Sequence, residues 1–182
     1  METLKEGTFI RRFRARDGAE VTLRAPMWSD LDDMLEFINS LVEEGAEILV
    51  TEKKTRDEEA DWLAQHLSAV ETDRKIAIAA DVDGRFIGQV EVRPQGGYSH
   101  HVGVLGLAIR DGYRGIGTEL MKEAEVQSRR LGLEMLTLDV FATNSRARRL
   151  YEKLGYRAVG RVPKAILKDG DYKDSVIMTK DL

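Results

Sequence analysis

The stretch from residue 104 to residue 121, VLGLAIRDGYRGIGTELM, decides how this chain folds, since it joins an apolar run, a glycine turn and the start of an amphipathic run. The run 104–109 has too few polar positions for a half-exposed strand, so it predicts a strand buried on both faces. Gly115 and Gly117 let the backbone approach a ligand where the next helix begins. Free N–H groups and the helix dipole favour an anion there, so we expect a phosphate-bearing cofactor.

A second strand and a second helix complete this central unit. The run LTLDVF at 136–141 predicts a strand, and the run NSRARRLYEKLGY at 144–156 predicts a helix with apolar side chains at helical spacing. Asn144 is a typical helix N-cap and Gly155 a typical C-terminal stop. The unit is therefore predicted to run strand, turn, helix, strand, turn, helix.

Short-range signals predict the elements on either side of this unit. Two helices are expected before it, the first capped by Ser29-Asp30 and the second beginning near Thr55 with acidic residues in its first turn. Asp-Gly pairs predict three hairpins, whose turns lie at Asp17-Gly18, Asp83-Gly84 and Asp169-Gly170.

The composition is typical of a soluble globular protein, and we expect one domain over residues 1–182. No run approaches the roughly 18 apolar residues of a membrane span. Residues 1–16 lack the apolar core of a secretory signal, and a chain without cysteine has the cytoplasm as its default compartment. The net charge of -4 argues against a nucleic-acid partner, and the three histidines lack the spacing of a zinc site, so we expect no metal.

Two blocks of the central unit resemble the GCN5-related N-acetyltransferase superfamily. They are residues 105–121 and residues 144–156, whose Asn, Ala, Leu-Tyr and Lys-Leu-Gly-Tyr positions are similar to the family's pattern. The order of the other predicted elements also resembles this family, so the likeness covers nearly the whole chain. The resemblance implies an α/β (α+β) fold, with a mixed, mostly antiparallel six- to seven-stranded sheet that is splayed at its centre and flanked by about four helices.

The resemblance also implies that acetyl-CoA binds as a cosubstrate in the gap between the two central strands. Its pyrophosphate would lie against backbone N–H groups of the glycine turn, and its pantetheine arm would pair with the strand that ends at residue 109. The implied cofactor-binding residues are Leu107, Ala108, Ile109, Arg114, Gly115, Ile116, Gly117, Thr118, Asn144 and Tyr151. One position departs from the family's pattern, because Gly112 stands where glutamine or arginine is expected, in a loop shorter than the family's.

The implied reaction is direct attack of an amine on the acetyl thioester. Such a reaction needs a base for the amine, a donor for the carbonyl oxygen and an acid for the leaving thiolate. Tyr151 is the expected acid, and a backbone N–H near Leu107 or Ala108 is the expected donor. Two bases stay open: Glu91, on the polar face of the strand beside the central one, and His101, at the start of the central strand.

Other functions are compatible with parts of this pattern. Gly115-Ile116-Gly117, with Asp139 further on, resembles a dinucleotide-binding oxidoreductase, although Leu120 replaces the third glycine. A non-catalytic acyl-CoA-binding or effector module is the other alternative. For an acetyltransferase, the acceptor would be a primary amine such as a protein N-terminus, a polyamine or an amino acid, and the acidic segment 43–47 favours a cation. The family resemblance favours a homodimer, and the composition predicts no membrane or nucleic-acid partner.

Overall fold

The computed structural model describes residues 3–15, 17–110 and 115–182. Within these ranges the chain forms eight strands and four α-helices, and none of the helices is long and apolar enough to cross a membrane. The elements are, in chain order, β1 (Phe9–Arg14), β2 (Glu20–Arg24), α1 (Leu31–Glu43), α2 (Arg56–Glu71), β3 (Ile76–Val82), β4 (Arg85–Pro94), β5 (Val102–Ile109), α3 (Ile116–Arg130), β6 (Met135–Phe141), α4 (Ser145–Lys153), β7 (Arg157–Lys168) and β8 (Asp171–Asp181).

All the strands lie in one sheet, in the order β1-β2-β3-β4-β5-β6-β8-β7. Only β5 and β6 pair in parallel, and every other neighbouring pair is antiparallel. The mixed, mostly antiparallel sheet is therefore confirmed. Its eight strands exceed the six to seven that the family resemblance implies, and the hairpin predicted at Asp17-Gly18 forms the edge pair β1 and β2. The doubly wound parallel sheet of a dinucleotide-binding oxidoreductase is not formed, so that alternative is wrong.

The parallel pair is short, and this opens the sheet at its centre. The register joins residues 102–104 of β5 to residues 135–137 of β6. Beyond these positions β5 continues to Ile109 and β6 continues to Phe141 without pairing to each other. The predicted splay therefore runs along the C-terminal halves of these two strands, and we call the gap between them the opening.

The two faces of the sheet carry different helices. On one face α1 and α2 pack over β3 and β4, where the rings of Phe37 and Phe86 meet edge to face with centroids 5.5 Å apart. On the other face α3 and α4 cover the larger hydrophobic core. That core includes Ile78, Val90, Leu105, Ile116, Leu120, Leu136, Leu138, Tyr151 and Met178.

The second half of β5 is less buried than its apolar sequence predicts. Leu105 is buried, whereas Gly106 is exposed and residues 107–109 are half-buried. The reason is the opening itself, since β6 no longer lies beside this part of the strand. The prediction of a strand buried on both faces is correct for the first half of β5 and wrong for the second.

Two of the predicted helix caps are confirmed by their hydrogen bonds. At the start of α2 the Thr55 hydroxyl accepts from the Glu58 N–H at 3.3 Å, and the Glu58 carboxylate accepts from the Thr55 N–H at 2.8 Å. At the start of α4 the Asn144 side-chain oxygen accepts from the Ala147 N–H at 3.0 Å. The reciprocal bonds at Thr55 and the single bond at Asn144 satisfy N–H groups that a helix cannot pair internally.

The cap predicted at Asp30 is replaced by a buried ion network. The Arg24 guanidinium donates to both Asp30 carboxylate oxygens, at 2.6 and 2.7 Å, and to the Asp81 carboxylate at 3.2 Å. Arg24 and Asp30 are both buried, so each charge needs the other. The network ties the start of α1 to β2 and β3.

Gly103 lies where β5 and β6 are still paired, and the packing there leaves no room for a side chain. A Cβ at this position would lie 2.6 Å from Val92 Cγ1, 2.8 Å from Leu133 Cδ1 and 2.9 Å from Leu136 Cδ2. We expect Gly103→Ala to lower the free energy of unfolding in urea by about 1–3 kcal/mol because of this overpacking. Gly96→Ala, whose Cβ would meet nothing within 4 Å, is the matched control, and equal stability of the two variants would contradict the prediction.

Candidate functional site

The hydrogen bonds at the two ends of β5 show which of its backbone groups face the opening. On the β4 side the Arg110 N–H donates to the Ile87 carbonyl at 2.9 Å. On the β6 side the His101 carbonyl accepts from the Glu134 N–H at 2.8 Å. Because backbone groups of successive strand residues point to alternate sides, the odd-numbered residues from 105 to 109 point into the opening.

Leu107 and Ile109 therefore present main-chain N–H and C=O groups to the opening, where none of the described strands pairs with them. Ala108 points the other way and pairs with Gln89 in the β4 ladder. The oxyanion donor expected near Leu107 or Ala108 is thus available at Leu107, and the N–H of Ala108 is committed to β4. Partly buried backbone amides need partners, and an amide-bearing ligand lying along β5 would supply them.

The edge of β6 that faces β5 also presents backbone groups to the opening. The Leu182 N–H donates to the Glu134 carbonyl at 2.8 Å, and the Ala142 N–H donates to the Asp174 carbonyl at 2.9 Å, both on the β8 side. Even-numbered residues of β6 therefore pair with β8, and the odd-numbered residues from 137 to 141 turn their backbone groups toward β5.

An anion site is available where α3 begins. Gly115 is the N-cap with φ 92°, and no side chain caps the helix. The first bond of the helix runs from the Glu119 N–H to the Gly115 carbonyl at 3.4 Å, which leaves the N–H groups of Ile116, Gly117 and Thr118 without helical partners. Such groups suit a phosphate. Arg114 lies outside the described residues, as does Gly112.

Gly117 explains how this helix end comes so near to β5. A Cβ at Gly117 would lie 3.1 Å from Ile109 Cδ1 and 3.2 Å from Leu150 Cδ2. The absence of a side chain therefore lets the first turn of α3 pack against the end of β5 and against α4. The anion site and the free edge of β5 are consequently neighbours.

On the α1/α2 face of the sheet, the carboxylates of Glu91 and Asp139 lie on either side of Gly106. We call the exposed surface around Gly106 the floor. Glu91 pairs with Gly106 across β4 and β5, and Val104 pairs with Thr137 across β5 and β6. Extending this register by two residues sets Asp139 level with Gly106 across the opening, so Glu91, Gly106 and Asp139 form one row whose side-chain positions share a face. Gly106 is exposed, and a Cβ there would meet only the Glu91 side chain, at 3.6 and 3.8 Å.

The two carboxylates have different surroundings. Glu91 Oε2 accepts from Lys75 Nζ at 3.0 Å, and Lys75 Nζ also lies 3.1 Å from His66 Nδ1. Asp139 is exposed, and its Oδ1 accepts from the Ser175 hydroxyl at 3.1 Å. The charge of Glu91 is thus balanced by an ammonium, whereas no cation among the described residues pairs with Asp139.

Sequence reasoning connected Asp139 only with the rejected oxidoreductase alternative. Nothing near Asp139 in the sequence indicates that it lies level with Gly106. The position of Asp139 follows from the parallel register of β5 and β6, which exists only in the folded sheet.

His66 is a neutral group behind this row. Its ring is buried and stacks on Trp62, with centroids 4.5 Å apart and planes inclined by 21°. Burial, with the nearby positive charge of Lys75, lowers the pKa of His66 to about 4. The neutral imidazole can accept a hydrogen bond from the ammonium through Nδ1, which places Lys75 against Glu91.

The structure does not bring His101 to the opening. His101 precedes β5 at the end where β5 and β6 are paired. Leu107 lies six positions further along, which corresponds to about 20 Å of strand. This distance argues against His101 as the base, and Glu91 is the sequence-predicted candidate that lies beside the opening.

Tyr151 and Asn144 belong to α4, which follows β6 directly. Tyr151 is buried in the core of the α3/α4 face, and burial raises its pKa to about 12. Its hydroxyl is therefore protonated at neutral pH. The side-chain oxygen of Asn144 is engaged with the Ala147 N–H as the helix cap. Its expected contact with the pantetheine arm stays a prediction.

The acidic segment after α1 crosses the mouth of the opening. Thr143, just beyond β6, donates from its hydroxyl to the Glu47 carboxylate. Lys168, at the end of β7, donates from Nζ to the Ala46 carbonyl at 3.2 Å. The segment therefore bridges from α1 to the far side of the sheet, as a border of the face that carries Glu91 and Asp139. Within the described ranges, no group of three or more potential ligands is placed to hold a metal ion.

The family model described as Acetyltransferase (GNAT) family matches residues 35–156, a range that contains the opening, the glycine turn and α4. The chain belongs to this family. Acetyl-CoA is the cosubstrate of the GNAT family, and the free β5 edge beside an uncapped helix N-terminus fits an amide-bearing arm that ends in a pyrophosphate.

Curated relatives and solved structures agree with this assignment. The chain is 30% identical over 106 residues to the L-amino acid N-acetyltransferase AaaT of Escherichia coli K12, covering 57% of this chain and 64% of AaaT, which is less than two thirds of that protein. It is 25% identical over 168 residues to YwnH of Bacillus subtilis 168, covering 89% of this chain and 99% of that protein.

Two solved structures share the fold. One is the ribosomal-protein-alanine N-acetyltransferase of Brucella melitensis, with a TM-score of 0.77, 22% identity and coverage of 88% of this chain and 99% of that chain. The other is a GNAT superfamily phosphinothricin acetyltransferase of Sinorhizobium meliloti in complex with acetyl-CoA, with a TM-score of 0.77, 19% identity and coverage of 89% and 88%. The predicted GNAT fold is thereby confirmed.

The lowered pKa of His66 predicts a pH dependence of stability. The pKa is about 4 in the folded chain against 6.5 for an ordinary histidine, so the unfolded state binds more protons between these values. The free energy of unfolding should therefore fall by about 3 kcal/mol on this account as the pH is lowered through that window.

The variant His66→Asn isolates this contribution, because it keeps a side-chain acceptor for Lys75 and removes the titration. Urea denaturation at pH 7 and pH 4.5 should show a smaller loss of stability in His66→Asn than in the wild type. The exposed His100→Asn is the control and should behave as the wild type does. Equal losses in the wild type and His66→Asn would contradict the prediction.

Proposed function

We propose that this chain is an acetyl-CoA-dependent N-acetyltransferase that moves an acetyl group to a primary amine by direct attack. The observation that carries the proposal is the opening between β5 and β6. It has a free backbone edge beside the α3 N-terminus, and the row Glu91, Gly106 and Asp139 on the α1/α2 face. The two substrates can then meet at the opening from opposite faces of the sheet.

We assign cofactor binding mainly to backbone groups. The N–H groups of residues 116–118 would hold the pyrophosphate, and the main chain of Leu107 and Ile109 would pair with the pantetheine arm. Gly115 is assigned to the same site and Asn144 to the surroundings of the arm, and the role of Arg114, outside the described residues, stays a prediction from the sequence. Bound acetyl-CoA supplies an acetyl thioester, and the free N–H of Leu107 is the donor for its carbonyl oxygen.

The base is a carboxylate of the row beside Gly106. Glu91 was the sequence-based candidate, but its Oε2 is held by Lys75 at 3.0 Å. Asp139 is exposed and has no ammonium partner among the described residues, so it is the better acceptor for the proton of an incoming amine. We therefore place Asp139 first as the base and Glu91 second.

Tyr151 is the proposed acid. Its hydroxyl is protonated at neutral pH because burial raises its pKa to about 12. An acid must hold its proton until the leaving sulfur develops charge, and a phenol in an apolar surrounding does so. Tyr151 also lies in the Leu-Tyr position of the motif that resembles the family's pattern.

Several wider properties are part of the same proposal. One sheet contains every described strand, which supports a single N-acetyltransferase domain over residues 1–182. Cytoplasmic location and the lack of a membrane or nucleic-acid partner rest on composition. Exposed apolar side chains on the edge strand β7, at Val159, Val162 and Leu167, support a homodimer, which sedimentation analysis can test against the monomer mass of 20.5 kDa.

The test of the proposal is CoA release from acetyl-CoA with a panel of N-terminal peptides, polyamines and amino acids. We expect turnover with at least one acceptor, and Asp139→Asn should lower kcat by about 100-fold or more as the loss of a general base. Glu91→Gln is the matched control and should lower kcat less. Acetyl-CoA binding without turnover of any acceptor would favour a non-catalytic module and contradict the proposal.

Tyr151→Phe should lower kcat far more than it lowers acetyl-CoA affinity, because it removes the proton for the leaving sulfur and keeps the ring. The control is Tyr156→Phe, whose buried ring lies 6.0 Å from that of Tyr151. We expect Tyr156→Phe to keep wild-type turnover. Unchanged kcat in Tyr151→Phe at saturating substrates would remove the acid role.

A further inference from the structure

The open face around Gly106 carries two charges that form no ion pair within residues 3–15, 17–110 and 115–182. Glu91 is balanced by Lys75 at 3.0 Å. Asp139 is exposed and has only a hydroxyl donor, from Ser175. Arg93 lies on the same face and is also exposed, and within the described ranges the structure gives its guanidinium no hydrogen-bond or ion-pair partner. The floor thus presents one free carboxylate and one free guanidinium.

The register places Arg93 within reach of Gly106. Arg93 pairs with Val104, and Gly106 is two residues further along β5, so the two residues are diagonal neighbours with Cα atoms about 7–8 Å apart. Arg93 and Asp139 therefore approach the bare glycine from opposite sides. A small molecule lying over Gly106 can meet both charges.

A second arginine near the opening does not offer the same contact. Arg110 Nη1 lies 3.4 Å from the Glu36 carboxylate, and its guanidinium carbon lies 5.5 Å from the centroid of the Phe37 ring. The Nε and Nη2 atoms of Arg110 have no hydrogen-bond partner but are buried away from solvent. Because these two nitrogens are buried, Arg93 offers the more accessible guanidinium of the two arginines.

We infer that the acceptor is a small amino acid, with its amine at Asp139 and its carboxylate on Arg93. The inference rests on the proposed acetyltransferase function. A guanidinium binds a carboxylate through two parallel hydrogen bonds, and an amino acid carries an ammonium and a carboxylate within one small molecule. A polyamine would instead set a second ammonium against Arg93, and a protein N-terminus has no carboxylate at this distance from its amine.

The reaction balances with groups already described. The nitrogen–carbon bond of an N-acetyl amino acid forms and the carbon–sulfur bond of the thioester breaks. Asp139 accepts the proton that the amine loses, and Tyr151 donates one to the leaving sulfur. Arg93 binds the substrate carboxylate and takes no part in proton transfer, so it determines specificity.

The experiment compares L-leucine with 3-methylbutylamine, and L-phenylalanine with phenethylamine, at saturating acetyl-CoA. Each amine is the amino acid without its carboxylate. The wild type should have a kcat/KM at least tenfold higher for the amino acids. Arg93→Gln should raise KM for the amino acids by about 10- to 100-fold, the cost of a lost charged hydrogen bond, and leave KM for acetyl-CoA and use of the amines unchanged.

Arg157→Gln is the matched control. Arg157 is exposed on β7 and pairs with Thr179, which pairs with Thr137, so it shares the level and the face of Arg93. It is, however, three strands away from Gly106. Arg157→Gln should keep the wild-type KM for amino acids, and an equal effect in the two variants would overturn the assignment to Arg93.

Further outcomes separate this inference from the proposed function. Turnover of amines, peptides or polyamines without a preference for amino acids overturns the inference and leaves the acetyltransferase proposal intact. If no acceptor is turned over, calorimetric titration of L-leucine into the CoA-bound protein tests whether an amino acid binds at all. Binding that is lost in Arg93→Gln and kept in Arg157→Gln supports the amino acid site without catalysis, and no binding to the wild type overturns it.

Discussion

The rest of this structure depends on the early end of one strand pairing. β5 and β6 run in parallel for residues 102–104 and 135–137 and then separate. Backbone amides that lose their strand partner still need one, and those of Leu107 and Ile109 face the gap. A ligand with amide groups of its own can take the place of the missing strand. A ligand bound in the gap would therefore form the same kind of backbone hydrogen bonds to β5 that a neighbouring strand forms elsewhere in the sheet.

The two glycines of β5 differ in the space around them because they face opposite sides of the sheet. Gly103 lies under the helices of the α3/α4 face, where neighbouring side chains would come within 2.6–2.9 Å of a Cβ. Gly106, three positions later, lies level with the opening and its Cβ position is directed at nothing but Glu91. The first glycine permits dense packing, and the second leaves space that a substrate can occupy. Glycine therefore allows close packing at one position of β5 and access of a substrate at another.

Charge distribution then distinguishes the groups on the open face. His66 is kept neutral by burial and by the charge of Lys75. Its ring can accept a hydrogen bond from the Lys75 ammonium, which in turn balances the charge of Glu91. Asp139 and Arg93 are exposed, and in the part of the chain that the structure describes neither has an ion-pair partner. Groups that are balanced internally hold the structure, whereas unbalanced groups are the ones that a substrate can compensate.

Local signals in the sequence determined much of the fold. The caps at Thr55 and Asn144 and the Asp-Gly hairpin turns act within a few residues, so they can be read before the chain is folded. The tertiary structure decided the features that depend on strand register. Asp139 comes level with Gly106, and His101 lies about 20 Å along the strand from Leu107. The reason is that strand register is set by hydrogen bonds between residues about thirty positions apart, which no short pattern records.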